Sequence, residues 1–179
     1  RSLVGSEICI RDRGDFKSSI SHMAEAKTLD PQKYGEQVNV LSVLSYHKLQ
    51  DVNKLKEALE TLQKENPSAV ARVPDVIPAW LGLQAYGMKD LETADKYMTW
   101  ATQNDQLQNV KKVIWRNLAK VRLALKKYDR ALVASNNFLK DEDQPYRRAD
   151  GMLDKASILL GLGKYADARK TAEEALALG

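Results

Sequence analysis

Eight cations fall between Gln106 and Arg130: Lys111, Lys112, Arg116, Lys120, Arg122, Lys126, Lys127 and Arg130, against one acid, Asp129. Arg116 and Lys120 are four residues apart and therefore share one helical face. Groups of this kind hold carboxylates or phosphates through charge-assisted hydrogen bonds. That chemistry is recognition, and residues for bond-making are sparse. His22 and His47 are the only histidines, and neither has a Cys or His at metal-ligand spacing. Both read as surface or half-buried side chains. The single cysteine, Cys9, excludes an internal disulfide framework and reads as a small buried apolar residue. The chain lacks a Gly-rich phosphate loop, a Gly-x-Ser-x-Gly elbow and a His-Glu-x-x-His pair. Asp141-Glu142-Asp143 crowds carboxylates without a calcium-loop pattern. Trp80, Trp100 and Trp115 sit at helical spacing with other apolar residues and read as core. No enzyme, metal or cofactor is expected.

The basic stretch must be positioned by helices. From Val113 to Leu139, Trp115, Leu118, Ala119 and Leu125 recur at helical steps along a first segment. Ala131, Leu132, Ser135, Phe138 and Leu139 do the same along a second, after a turn at Lys126-Lys127-Tyr128-Asp129. Two amphipathic stripes with a short joint make an antiparallel helix pair, which needs neighbours to bury its faces. The small residue opening each second helix is Ala94, Ala131 and Ala168, so 131 − 94 = 37 and 168 − 131 = 37. A fixed period of this size marks stacked helix pairs. Small residues recur there because two backbones approach closely, and a large side chain would overpack the contact by about 1–3 kcal/mol.

Around that period stand Leu81-Gly82, Lys89-Asp90-Leu91-Glu92-Thr93-Ala94, Trp115, Gly163-Lys164-Tyr165-Ala166-Asp167-Ala168 and Ala175. These residues resemble the tetratricopeptide repeat: Trp, Leu-Gly, a Gly-Asp-Tyr-like turn, a small Ala, an aromatic, another Ala and a closing Pro. The resemblance implies an all-α fold, a right-handed α-α superhelix of about five helix pairs.

The chain of 179 residues is 44% apolar and 29% charged, with a net charge of +4. That suffices for a core under a soluble surface, and no apolar run is long enough to span a membrane. One solenoid is expected, with repeats at about 1–31, 35–66, 75–104, 110–140 and 147–178. In the first repeat a short helix over Leu3–Arg11 precedes the Gly14-Asp15-Phe16 turn, and Ser19, Met23 and Ala26 face the packing side. Val38, Leu41, Leu44, Leu55, Ala58, Leu59 and Leu62 line the second. Residues 67–78 carry three prolines and read as an irregular connector with one short helical turn. Opening on Arg1 and closing without a polar capping helix, the chain is expected to belong to a longer array.

In the family resembled, the first helix of each pair lines a concave groove where partner peptides lie. Carried over by register, Arg116, Lys120 and Leu123 face that groove, with Ala79, Leu83 and Tyr86 before them and Leu153, Ser157 and Leu160 after them. The expected function is a protein-interaction scaffold binding a partner segment, an acidic peptide, against apolar walls and a basic centre. A chaperone-tail clamp of the family would use Asn117 in its middle place. Ala79 and Leu83, and then Asp150 and Asp154, stand where its cations and Asn belong, which argues against that ligand. Arg122 also departs from the family, which has an apolar or small residue there. The alternative is a nucleic-acid-binding solenoid using residues 111–130; it is disfavoured because no aromatic platforms alternate with the cations. Weak homodimerisation through uncapped repeat ends is a further expectation. Compartment is not fixed by the sequence and leans to the cytoplasm.

Overall fold

The computed structural model describes residues 15–103 and 108–178, and the side chains of residues 108 and 109 are excluded. The helix expected over Leu3–Arg11 lies outside the described residues. Among the described residues all repetitive backbone is helical. The α-helices are α1 (Phe16–Leu29), α2 (Pro31–Lys48), α3 (Val52–Glu65), α4 (Val76–Gly87), α5 (Leu91–Thr102), α6 (Gln108–Ala124), α7 (Tyr128–Asp141), α8 (Pro145–Gly161) and α9 (Tyr165–Leu176). A 3₁₀ helix, Pro67–Arg72, stands in the Pro-containing stretch after α3. No described helix is long and apolar enough to cross a membrane. The chain divides into two compact units, Arg1–Ile77 and Pro78–Gly179.

Asp side chains open several of these helices. Asp15, Asp30, Asp51 and Asp90 each accept the N–H of the third residue after them, at 3.1, 3.1, 3.1 and 3.2 Å. Each satisfies one donor left orphaned at the helix start. The turns inside the pairs share a second device, a left-handed residue. It is Gln50 at φ 55°, Lys89 at 63°, Lys126 at 57° and Gly163 at 72°. The last three repeat the period, since 126 − 89 = 37 and 163 − 126 = 37. Only Gly163 adopts this backbone without a Cβ penalty.

In the first unit α1, α2 and α3 pack in sequence and the 3₁₀ helix lies against α2 and α3. Leu55, Ala58, Leu59 and Leu62 of α3 are all buried, as are Ser19, Met23 and Ala26 of α1. On α2 the buried face is turned from the one read in the sequence. Val38 is buried, but Leu41 and Leu44 are only half-buried, while Asn39, Val43 and Ser45 are enclosed. A polar knot explains the turn. Lys27 Nζ donates to Asn39 Oδ1 and Glu65 Oε2 at 3.0 and 2.7 Å. Asn39 Nδ2 donates to Glu65 Oε2 and Asn66 Oδ1 at 2.9 and 2.7 Å, tying the three helices together. A buried Asn is tolerated because these partners satisfy it.

In the second unit α5 to α9 pack in sequence, and α6 also touches α8. Ala94, Ala131 and Ala168 are buried at 0%, 0% and 2% exposure, where neighbouring helices close. Gly82 meets Met98 so closely that an added Cβ would lie 2.7 Å from its Cγ and 2.9 Å from its backbone N. Gly151 likewise admits the Phe138 ring. The joint between α6 and α7 is shorter than read: Tyr128 and Asp129 already belong to the first turn of α7.

Candidate functional site

The residues with recognition chemistry meet on the face shared by α6 and α8. Val113, Arg116, Asn117 and Lys120 recur at three- and four-residue steps along α6, and Asp150, Leu153, Asp154 and Ser157 do so along α8. Arg116 Nη2 donates to Asp150 Oδ2 at 3.0 Å, and its Nε stands 3.9 Å from Asp154 Oδ2. Lys120 Nζ lies 3.7 Å from the same Asp154 oxygen. The Arg116 guanidinium also sits over the Phe138 ring, 5.8 Å from its centroid. Burial pushes the Asp154 carboxyl up, and the Lys120 and Arg116 charges only partly counter it, leaving it above its ordinary value.

This pairing corrects the expectation of a basic centre. The strip with one acid in sequence receives its counter-charges from neighbouring repeats. Lys112 Nζ is 3.6 Å from Asp143 Oδ1. Lys127 Nζ donates to Glu92 Oε2 at 2.8 Å and to Asp95 Oδ2 at 3.0 Å. Arg122 is only 7% exposed and donates through Nε to Asp95 Oδ1 at 2.8 Å and through Nη2 to Thr99 Oγ1 at 2.8 Å. Arg122 is therefore a buried tie between repeats, which accounts for its departure from the family's apolar residue. Lys112, Arg116, Lys120, Arg122 and Lys127 are thus already engaged by acids, while Lys126 and Arg130 are exposed.

The other expected site residues divide. Leu153 is 46% exposed and Ser157 is exposed on α8, beside Arg116 and Lys120. Val113, which the register argument passed over, is 46% exposed on the same face. Ala79, by contrast, is 3% exposed and belongs to the core, so it offers no wall to a ligand. Leu83, Tyr86 and Leu123 are half-buried against that core. Between α6, α7 and the start of α8 lies a cleft of about 240 Å³, lined by Lys112, Val113, Arg116, Asn117, Lys120, Phe138, Glu142 and Arg147. Asn117 Nδ2 is committed to the Val113 carbonyl at 2.9 Å, which fixes its side chain to its own helix. Arg147, in the first turn of α8, escaped the sequence reading, and Glu142 entered it only within the Asp141-Glu142-Asp143 cluster, because repeat register says nothing about the join between repeats. Among the described residues no group of three or more His, Cys, Asp or Glu is arranged to hold a metal ion.

Comparison with solved structures decides the fold. MamA superposes with a TM-score of 0.54 over 96% of this chain and 93% of its own, at 17% identity. BtubC from P. vanneervenii gives 0.51 over 98% and 78%, at 16% identity. PilF from Pseudomonas aeruginosa gives 0.50 over 99% and 75%, at 18% identity. MamA and PilF are tetratricopeptide-type proteins. The fold is that of the tetratricopeptide repeat. No protein-family profile matches the chain, and no curated protein matches its sequence. At these identities the likeness carries architecture alone.

Proposed function

We propose that the chain is a protein-interaction scaffold, seating a segment of a partner protein on the α6–α8 face with acidic side chains of that segment against Arg116 and Lys120. The observation that supports this most is the ladder of Arg116 and Lys120 with Asp150 and Asp154 beside exposed Leu153 and Val113. Fixed cations next to apolar surface suit a segment carrying both kinds of side chain. Asp150 occupies Arg116 before the partner arrives, and Asp154 lies behind both cations. Binding is therefore an exchange of carboxylates, modest in strength and weakened by salt. The same fold serves unrelated partners, so the site and not the architecture carries the reading.

The test is a photo-crosslinking amino acid placed at Ser157 on the face, with Val133 on α7 as control, in the chain's native extract. Crosslinks to a defined partner from Ser157 and not from Val133, lost in Arg116→Gln/Lys120→Gln, are expected. Equal capture from both positions contradicts the reading.

A further inference from the structure

We infer that the cleft between α6, the α7–α8 loop and the start of α8 receives one acidic residue of a partner, taking its carboxylate on the cations and its backbone N–H on Glu142. This rests on the reading that the α6–α8 face binds a partner, and specifies what that partner must present.

The cleft, about 240 Å³, is on the scale of one amino-acid residue. Four cations line it, Lys112, Arg116, Lys120 and Arg147, and one carboxylate, Glu142. Phe138 and Val113 supply the apolar surface against which methylenes would rest. The acids outside the lining are unequal. Asp143 and Asp150 have side chains 87% and 56% exposed, so they can turn into solvent and yield Lys112 and Arg116 to an incoming anion. Exposed pairs of this kind hold weakly. Asp154, with its side chain only 26% exposed, stays behind the cations.

Glu142 sets the second requirement. It is 4% exposed, and its Oε1 accepts the Gln144 N–H at 3.0 Å. Its Oε2 is buried with no hydrogen-bond partner among the described residues. A buried acceptor left unserved is costly, and a donor brought by a ligand removes that cost. A bare carboxylate or phosphate satisfies the cations but meets Glu142 as a like charge. A neutral amide serves Glu142 and leaves the cations with nothing. An aspartate or glutamate within a peptide carries the anion and the N–H a few bonds apart, and so answers both.

The experiment titrates the ¹⁵N-labelled chain with N-acetyl-glutamate N-methylamide, and follows backbone amide shifts at residues 112–120 and 142–147. N-acetyl-glutamine N-methylamide supplies the N–H groups without the charge, and butyrate supplies the charge without the N–H. The glutamate probe is expected to bind about tenfold more tightly than either. In Glu142→Gln, which keeps an oxygen for Gln144, its advantage over butyrate should disappear, while its advantage over the glutamine probe survives. Lys112→Ala/Arg147→Ala should remove the latter. Equal binding of all three probes, or shifts confined to other residues, overturns the inference, and this comparison on the unmodified chain needs no variant to fold. A retained advantage over butyrate in Glu142→Gln overturns the role of that oxygen, leaving it to an internal water. If the probes fail while Ser157 still captures a partner in an Arg116- and Lys120-dependent manner, only this inference falls. If both fail, the face itself is misassigned.

Discussion

Arg122 Nε and Asp95 Oδ1 lie 2.8 Å apart across 27 residues of sequence, both in side chains only 9% exposed. The pair joins α6 to α5 inside the second unit. Thr99 and the Arg130 carbonyl take two further guanidinium hydrogens, at 2.8 and 3.3 Å. Removing one partner strands a buried charge, and Asp95→Leu is expected to cost about 3–5 kcal/mol. Arg122→Leu should cost less, because Lys127 still reaches Asp95 at 3.0 Å. The double Leu variant should be more stable than Asp95→Leu alone. Urea unfolding measures all three, and additive costs would show that the pair is not coupled.

Acid should separate two carboxylates. Burial pushes Asp95 up, but the hydrogen bonds and charges of Arg122 and Lys127 outweigh it and hold the group below its ordinary value of 3.8. Its stabilisation is therefore present above 3.8 and is lost as pH falls through the lower folded value. Asp154 is raised above 3.8, so its contribution is in place below that value and is lost as pH rises through the folded one. Near neutral pH, Asp95→Asn should be less stable than the native chain and Asp154→Asn, which removes a desolvated charge, more stable. Both differences should shrink on acidification, from opposite sides. Unfolding midpoints at neutral pH and well below pH 3.8 give the comparison, and differences of one sign at neutral pH would contradict it.

Gly82→Ala is expected to cost about 1–3 kcal/mol. The new Cβ would lie 2.9 Å from the backbone N of Met98, which cannot move as a side-chain tip can. Met98→Ala in the same chain should therefore fail to restore the thermal midpoint, and full restoration would place the conflict in the side chain alone.

Lys164 opens α9 without a side-chain cap, whereas Asp90 accepts the Thr93 N–H at the equivalent end of α5. Lys164→Asp should stabilise the chain by about 1 kcal/mol by supplying that acceptor and placing a negative charge at the helix start. An unchanged midpoint in thermal unfolding would count against the capping argument.

These contrasts show what a sequence makes visible. The small residues at Ala94, Ala131 and Ala168 declared the repeat, since close backbone approach leaves no choice of side chain at those places. Leu55, Ala58, Leu59 and Leu62 declared α3 by spacing alone, because its buried face is wholly apolar. The face of α2 was misread where Asn39 is enclosed by Lys27, Glu65 and Asn66, partners far off in the chain. The basic strip misled for the same reason. Glu92, Asp95, Asp143, Asp150 and Asp154, all outside residues 111–130, pair with Lys112, Arg116, Lys120, Arg122 and Lys127. The period did contain the clue: 150 − 37 = 113 and 154 − 37 = 117 set Asp150 and Asp154 one repeat after Val113 and Asn117, beside Arg116 and Lys120. Nothing periodic pointed to Glu142, which sits where one repeat joins the next.

The central claim is that the α6–α8 face receives a partner through Arg116 and Lys120. The most direct measurement is photo-crosslinking from Ser157 in the native extract, comparing the unmodified pair with Arg116→Gln/Lys120→Gln. Neutral replacements are preferable to reversal, because Glu at either place would face Asp150 and Asp154. Capture of a defined partner, lost in the double variant with helicity unchanged and absent from Val133, is the result predicted. The same capture from the double variant, or from Val133, would contradict it.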